Sequence, residues 1–138
     1  MRELGAAAAT MAAALALVAA VVFGAHDTAL FVPPPEAVAE EFAGKLASAR
    51  YELAERHLAS SARHDRSAQE MEKRFEPVRR AIGPLIRAEA DESPGGETAF
   101  ATCQLRGESG TAAVRLVLRR EQGLWKVESW DAAATVSR

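Results

Sequence analysis

Between Glu97 and Asp131 apolar and polar residues alternate in three runs, broken by Gly107-Glu108-Ser109-Gly110 and by Arg120-Glu121-Gln122-Gly123. Alternation with turn residues between the runs predicts consecutive antiparallel hairpins with one face buried. In the first run Ala99, Ala101, Cys103 and Leu105 oppose Phe100, Thr102, Gln104 and Arg106. In the second, Val114, Leu116 and Leu118 oppose Arg115, Val117 and Arg119; in the third, Trp125 and Val127 oppose Lys126 and Glu128. By the same parity Leu124 and Trp130 fall on the charged face or at its rim, unless a bulge intervenes. Upstream, Leu85 to Asp91 sets Ile86, Ala88 and Ala90 against Arg87, Glu89 and Asp91, which predicts a first strand, followed by a turn at Ser93-Pro94-Gly95-Gly96. A four-stranded meander of this kind has one apolar face, and that face needs cover.

The pattern changes period before the strands. Val38, Phe42 and Leu46 stand at i, i+4 and i+8, with Glu40, Glu41 and Lys45 between them, which predicts an amphipathic helix opening near the prolines at 33–35. A weaker stripe, Tyr51, Ala54 and Leu58, predicts a second helical piece from Ala49 to about Ala59, and residues 60–66 read as a polar connection. Ser67-Ala68-Gln69-Glu70 has the spacing of a capping box, and the helix it opens aligns Met71, Phe75 and Val78. Pro77 predicts a kink or a fresh turn, and Gly83-Pro84 predicts the end. Helices followed by strands define an α+β fold, here two or three helices on one face of a four-stranded antiparallel meander. Ala132 to Arg138 carries no strong pattern and reads as a tail.

The first 26 residues differ in kind. Leu4 to Ala25 holds no charged residue, and 22 residues of helix span about 33 Å, enough to cross a hydrocarbon core. The Met1 amine and Arg2 precede the run, partly offset by Glu3, and His26 and Asp27 follow it, a weak bias that places the N-terminus in the cytoplasm and the remainder outside. A cleaved signal peptide is the rival reading, which would release a secreted domain. Cleavage after Ala25 would set bulky Phe23 where a small residue is wanted, and Val18-Ala19-Ala20 is only a mediocre site. A buried Ala-rich helix is the third reading. The chain therefore divides into a membrane anchor or signal over 1–26, a proline-rich linker over 27–35, an α+β domain over 36–131 and a tail over 132–138.

Charge and cysteine content narrow the function classes. The 138 residues carry a formal net charge of -2 with acid and base interspersed, which gives no reason to expect a nucleic-acid partner. The single cysteine, Cys103, cannot form an internal disulfide and does not follow the apolar segment, so it is not a lipoprotein cysteine. On the apolar strand parity it reads as a small core residue.

Candidate chemistry is sparse. The predicted inner sheet face offers no usable acid or base, and Tyr51, the one tyrosine, reads as a half-buried helix residue. His57 and His64 lie seven apart, but the polar break after Ser60 separates them and no third ligand has suitable spacing, so no metal or cofactor is expected. The predicted outer face groups Arg115, Arg119, Lys126 and Trp130, a mixture of charge and aromatic surface of the sort that anchors protein contacts.

A resemblance rests on three features: the V-x3-F-x3-L helix, the short piece around Arg50-Tyr51-Glu52-Leu53-Ala54, and the helix ending at Ile82-Gly83. Val-Arg-Leu-Val-Leu, a turn and Leu-Trp-Lys-Val-Glu-Ser-Trp close the chain. Over about Pro35 to Asp131 this resembles the small cone-shaped α+β domains of the nuclear transport factor 2-like superfamily, in particular its short membrane-tethered bacterial members. From Ile82-Gly83 onward it is also similar to the membrane-anchored cytochrome oxidase assembly factor 1 domain. The resemblance implies a fold and transfers no catalytic residue, since the Asp, His or Tyr that line the cone in enzymes of the superfamily have no counterpart on the inner strand faces here. The expected function is that of a membrane-anchored, non-enzymatic accessory domain with a protein partner on the outer sheet face. The alternatives are a carrier of a small apolar ligand between helices and sheet, and an oxidase-assembly-like factor.

Overall fold

A computed structural model describes residues 32–91 and 96–135. The expected anchor, most of the linker and most of the Ser93–Gly96 turn lie outside the described residues. The chain divides into two units, Met1–Val32 and Pro33–Arg138, and the fold described here is that of the second. It comprises helices α1 (Pro35–Ala47), α2 (Tyr51–Glu55) and α3 (Ser67–Ile82), a short 3-10 turn at Ser60–Ala62, and strands β1 (Leu85–Ala90), β2 (Thr98–Gly107), β3 (Thr111–Glu121) and β4 (Leu124–Thr135). The four strands form one antiparallel sheet in the order β1-β2-β3-β4. The α+β architecture, with helices packed against an open four-stranded sheet, is the one the periodicity predicts.

Helix α1 starts where the prolines allow. Pro34 is its N-cap in extended conformation and Pro35 its first residue, a position where the missing N–H costs nothing. Glu36 in the first turn and Lys45 in the last complement the helix dipole. The chain leaves the helix through Ala49, which takes a left-handed φ of 60°. Val38, Ala39, Phe42, Ala43, Leu46 and Ala47 are buried on its inner stripe. Helix α3 buries Met71, Phe75, Val78 and Ile82 and runs unbroken past Pro77. Gly83, with φ of 74°, ends it.

Two local expectations fail at the helices. Ser67 does not cap α3: Arg66 holds the cap position, so Ser67 is already helical. Its hydroxyl turns back to His64 instead, accepting from the His64 N–H at 2.7 Å and donating to the His64 carbonyl at 2.9 Å. Glu70 pairs with the His64 ring at 3.2 Å rather than reaching the cap. The second helix is only Tyr51–Glu55, because the next residues serve the sheet. Val127 donates its N–H to the His57 carbonyl and accepts from the Ala59 N–H, both at 2.7 Å, so residues 57–59 run beside the edge of β4. At the opposite edge Glu40 accepts the Ala90 N–H at 2.9 Å. Both edges are thus partly occupied, which blunts their tendency to pair with other chains.

Strand pairing follows the predicted parity over most of the sheet. Phe100 faces Val117 and Ser129 in one outward row; Ala101 faces Leu116 and Trp130 in the next, inward row. Two irregularities depart from it. Leu85 pairs with Gly107 but Arg87 with Arg106, so Ile86 is extra and stands 59% exposed instead of joining Ala88 and Ala90 on the inner face. Val117 pairs with Ser129 but Leu118 with Val127, so Glu128 is extra. One inserted residue reverses the facing of everything beyond it. β4 also continues to Thr135, past Asp131 where the pattern ends, because Ala132 and Ala134 pair with Val114 and Ala112.

The hairpin β2–β3 docks on the end of α3. Ser109 N–H donates to the Ile82 carbonyl at 2.7 Å and Glu108 N–H to the Pro84 carbonyl at 2.9 Å. That approach requires a glycine at 107, where an added Cβ would stand 2.2 Å from the Ile82 oxygen. At the other end, Gln122 and Gly123 both take positive φ, 54° and 83°, the conformation of a tight hairpin turn that follows the sheet's twist.

Candidate binding surface

The helices cover one face of the sheet, and the other carries the polar residues. On this outer face three rows cross the central strands: Thr98, Arg119 and Lys126; Phe100, Val117 and Ser129; Thr102, Arg115 and Asp131. Arg115 donates to Asp131 at 3.0 Å, and Arg119 lies 3.6 Å from Glu128. All four side chains are well exposed, so these pairs contribute about 0–1 kcal/mol each and leave the guanidinium groups available to a partner. Lys126 stands beside Arg119 in the register and donates to the Arg56 carbonyl at 3.0 Å.

The fourth sequence-predicted residue is elsewhere. Trp130 is buried under the helices, because the extra residue at Glu128 turns it from the outer face to the inner one. Its ring meets Phe42 at 6.0 Å and Phe75 at 6.3 Å between centroids. Arg74 lies 4.0 Å over the ring and donates to the Trp130 carbonyl at 2.8 Å. Thus the fold brings Arg115, Arg119 and Lys126 to one face and takes Trp130 out of it. The aromatic of that face is Phe100, 62% exposed in the row next to Arg115. Its place among the outward residues of β2 was legible from alternation, and its burial state was the missing piece.

A second feature lies at the end of the sheet that carries the Gln122–Gly123 turn. A groove of about 230 Å³ there is lined by Pro33, Val38, His57, Leu124, Trp125 and Lys126, among others. Arg120 stacks over Trp125 at 5.1 Å, and Leu124 is 45% exposed. Behind His57 of the groove wall, Lys45 Nζ stands 3.0 Å from the His57 Nε2, a contact in which the neutral imidazole accepts, with its own proton on Nδ1. Burial, then the charges of Lys45 and Lys126, hold His57 below its usual range, with Glu41 opposing them.

Tyr51, Glu76, Arg79 and Cys103 serve packing. Tyr51 donates its hydroxyl to Glu76 at 2.7 Å, and Arg79 clamps the same carboxylate through Nε and Nη2 at 2.7 and 2.9 Å. This ties α2 to α3. The Arg79 and Tyr51 hydrogen bonds lower Glu76 to about 2, while burial and the Glu76 hydrogen bond push the Tyr51 phenol up. Cys103 is fully buried on the inner sheet face, and burial pushes its thiol up to about 12, with the charge of Glu40 adding to the effect. A thiol so placed is a poor nucleophile. His57 and His64 belong to different clusters, the first with Lys45 and the second with Glu70.

Among the described residues no group of three or more His, Cys, Asp or Glu side chains is arranged to hold a metal ion, and no helix is long and apolar enough to cross a membrane. In comparisons with known proteins, the chain matches no family model, no curated protein and no solved structure.

Proposed function

We propose that this is a membrane-anchored, non-enzymatic interaction domain, of the cone-type α+β class, that presents the outer face of its sheet to a protein partner outside the cytoplasm. The observation that carries the reading is the division of the sheet. The inner face is filled by apolar side chains, whereas the outer one sets exposed Phe100 among Arg115, Arg119 and Lys126. An exposed aromatic with basic residues in the rows on either side has the composition of an interface hot spot.

Two further facts support it. The titratable groups nearest the core, Tyr51 and Cys103, are both pushed away from the range useful for proton transfer at neutral pH. Phe42, Phe75 and Trp130 occupy the middle of the space between helices and sheet, which favours recognition at the surface over carriage of a ligand within. The anchor rests on the uncharged run from Leu4 to Ala25.

The test is photocrosslinking from a benzoylphenylalanine at position 100, in membranes, beside a control at Glu72 on the exposed side of α3. A discrete partner captured from position 100 and not from 72 supports the sheet-face reading. Capture from 72 alone refutes it.

A further inference from the structure

We propose that the end of the domain carrying the Gln122–Gly123 turn rests against an anionic membrane surface, with Leu124 at the headgroup layer and Arg56, Arg120 and Lys126 pairing with lipid phosphates. This rests on the reading of residues 4–25 as an anchor.

Three observations converge on that end. The first is where the chain enters. Pro33 lines the groove beside Leu124 and Trp125, and only residues 26–32 separate it from the last residue of the uncharged run. Seven residues reach at most about 25 Å, so an anchored chain holds this end within that distance of the lipid interface. The Glu108 turn lies at the opposite end of β3, whose 11 residues span roughly 36 Å.

The second is apolar surface. Leu124 projects at the tip of the hairpin, 45% exposed, while Trp125 beside it is buried at 6% exposure beneath the Arg120 guanidinium. An exposed aliphatic side chain framed by cations with apolar stems suits the boundary between headgroups and acyl chains.

The third is the charge left unspent. Among the described residues no carboxylate pairs with Arg56, Arg120 or Lys126, and Lys126 gives its Nζ to the Arg56 carbonyl. Two carboxylates at this end are engaged: Glu121 accepts from the Ser60 N–H and hydroxyl at 2.9 to 3.2 Å, and Glu41 lies 3.5 Å from both Lys45 and His57. Basic groups held within a Debye length of an anionic leaflet are drawn to it.

The experiment uses the full chain reconstituted in vesicles, with an environment-sensitive fluorophore on Leu124→Cys or, as the control at the far end, on Glu108→Cys. The native Cys103 is buried and leaves the label site-selective. Vesicles of phosphatidylcholine with roughly one third phosphatidylglycerol are compared with pure phosphatidylcholine, each with headgroup-level spin-labelled lipid as quencher. Quenching at 124 should exceed that at 108 several-fold in the anionic vesicles and fall in neutral vesicles or high salt. It should also fall when Arg56, Arg120 and Lys126 are all changed to Gln in a variant of unchanged melting temperature. If the chain floats with the vesicles but 124 is quenched no more than 108, the docking surface is wrong and the anchor stands. If the chain does not float, the anchor reading fails and this proposal with it. A probe at 124 that is shielded from water without lipid quenching identifies a protein occupant and overturns the proposal, as does equal quenching in neutral and anionic vesicles.

Discussion

Phe42 of α1 meets Trp130 of β4 edge to face, with ring centroids 6.0 Å apart and planes at 66°. Through this contact the first helix and the last strand close the core on each other, and the contact exists only because β4 carries one residue more than its partner strand between Val127 and Ser129. Aromatic pairs in this geometry add about 0.5–1.5 kcal/mol to the burial of their surfaces.

Trp130→Ala should therefore cost about 3–5 kcal/mol, the range for a large aromatic removed from a packed core. Arg115→Ala, on the outer face, should stay within about 0.5 kcal/mol. Urea denaturation measures both, and similar midpoints for the two variants would place Trp130 back on the surface.

The bulge gives a second contrast. Glu128→Ala loses only a long, exposed ion pair and should cost less than about 1 kcal/mol. Deleting Glu128 restores strict alternation and drives either Trp130 or the pair Trp125 and Val127 out of the core, so the deletion should cost several times more. Thermal unfolding of the two variants compares them directly.

Gly107→Ala should destabilise by about 2 kcal/mol or more, since the new methyl collides with the Ile82 carbonyl, which is backbone and cannot swing aside. Gly96→Ala, where an added Cβ meets nothing, should be nearly neutral. Calorimetry that found the two equal would contradict the docking of the β2–β3 hairpin on α3.

Much of this fold was legible in the sequence, and the failures share a cause. The strands from Thr98 to Val127 were readable because alternation and glycine-bearing turns coincide, and Phe42, Phe75 and Leu118 follow from periodicity alone. Ile86 and Trp130 were misplaced because each follows a one-residue insertion made by an ordinary side chain, with no glycine to mark it. The one available signal was the spacing of apolar residues in β4, which shifts from two to three between Val127 and Trp130. The Tyr51–Glu76–Arg79 cluster joins residues 25 apart whose spacing carries no message, and the groove at Leu124 is assembled from α1, the segment after α2 and β4. On the outer face, the outward positions of Phe100, Arg115, Arg119 and Lys126 were legible from alternation, and the inward position of Trp130 was not.

Acid should act through Glu76. Its carboxyl is held at about 2 in the fold against an ordinary 4.5, so its contribution is present above the ordinary value and is lost as pH falls from there through about 2. The midpoint of urea unfolding should fall over that window in the native chain, and the fall should be shallower in Glu76→Gln. An unchanged acid limb in the variant would show that other carboxylates carry it. His57 adds a milder loss beginning near 6.5, because its lowered value makes the unfolded chain the better proton binder there.

The measurement that bears most directly on the account is the intact mass of the native protein recovered from membranes washed with alkaline carbonate. An anchored interaction domain predicts that the protein stays with the lipid and that its mass retains residues 4–25. A soluble product whose N-terminus lies beyond Ala20 would contradict the anchor and leave the domain to act unattached.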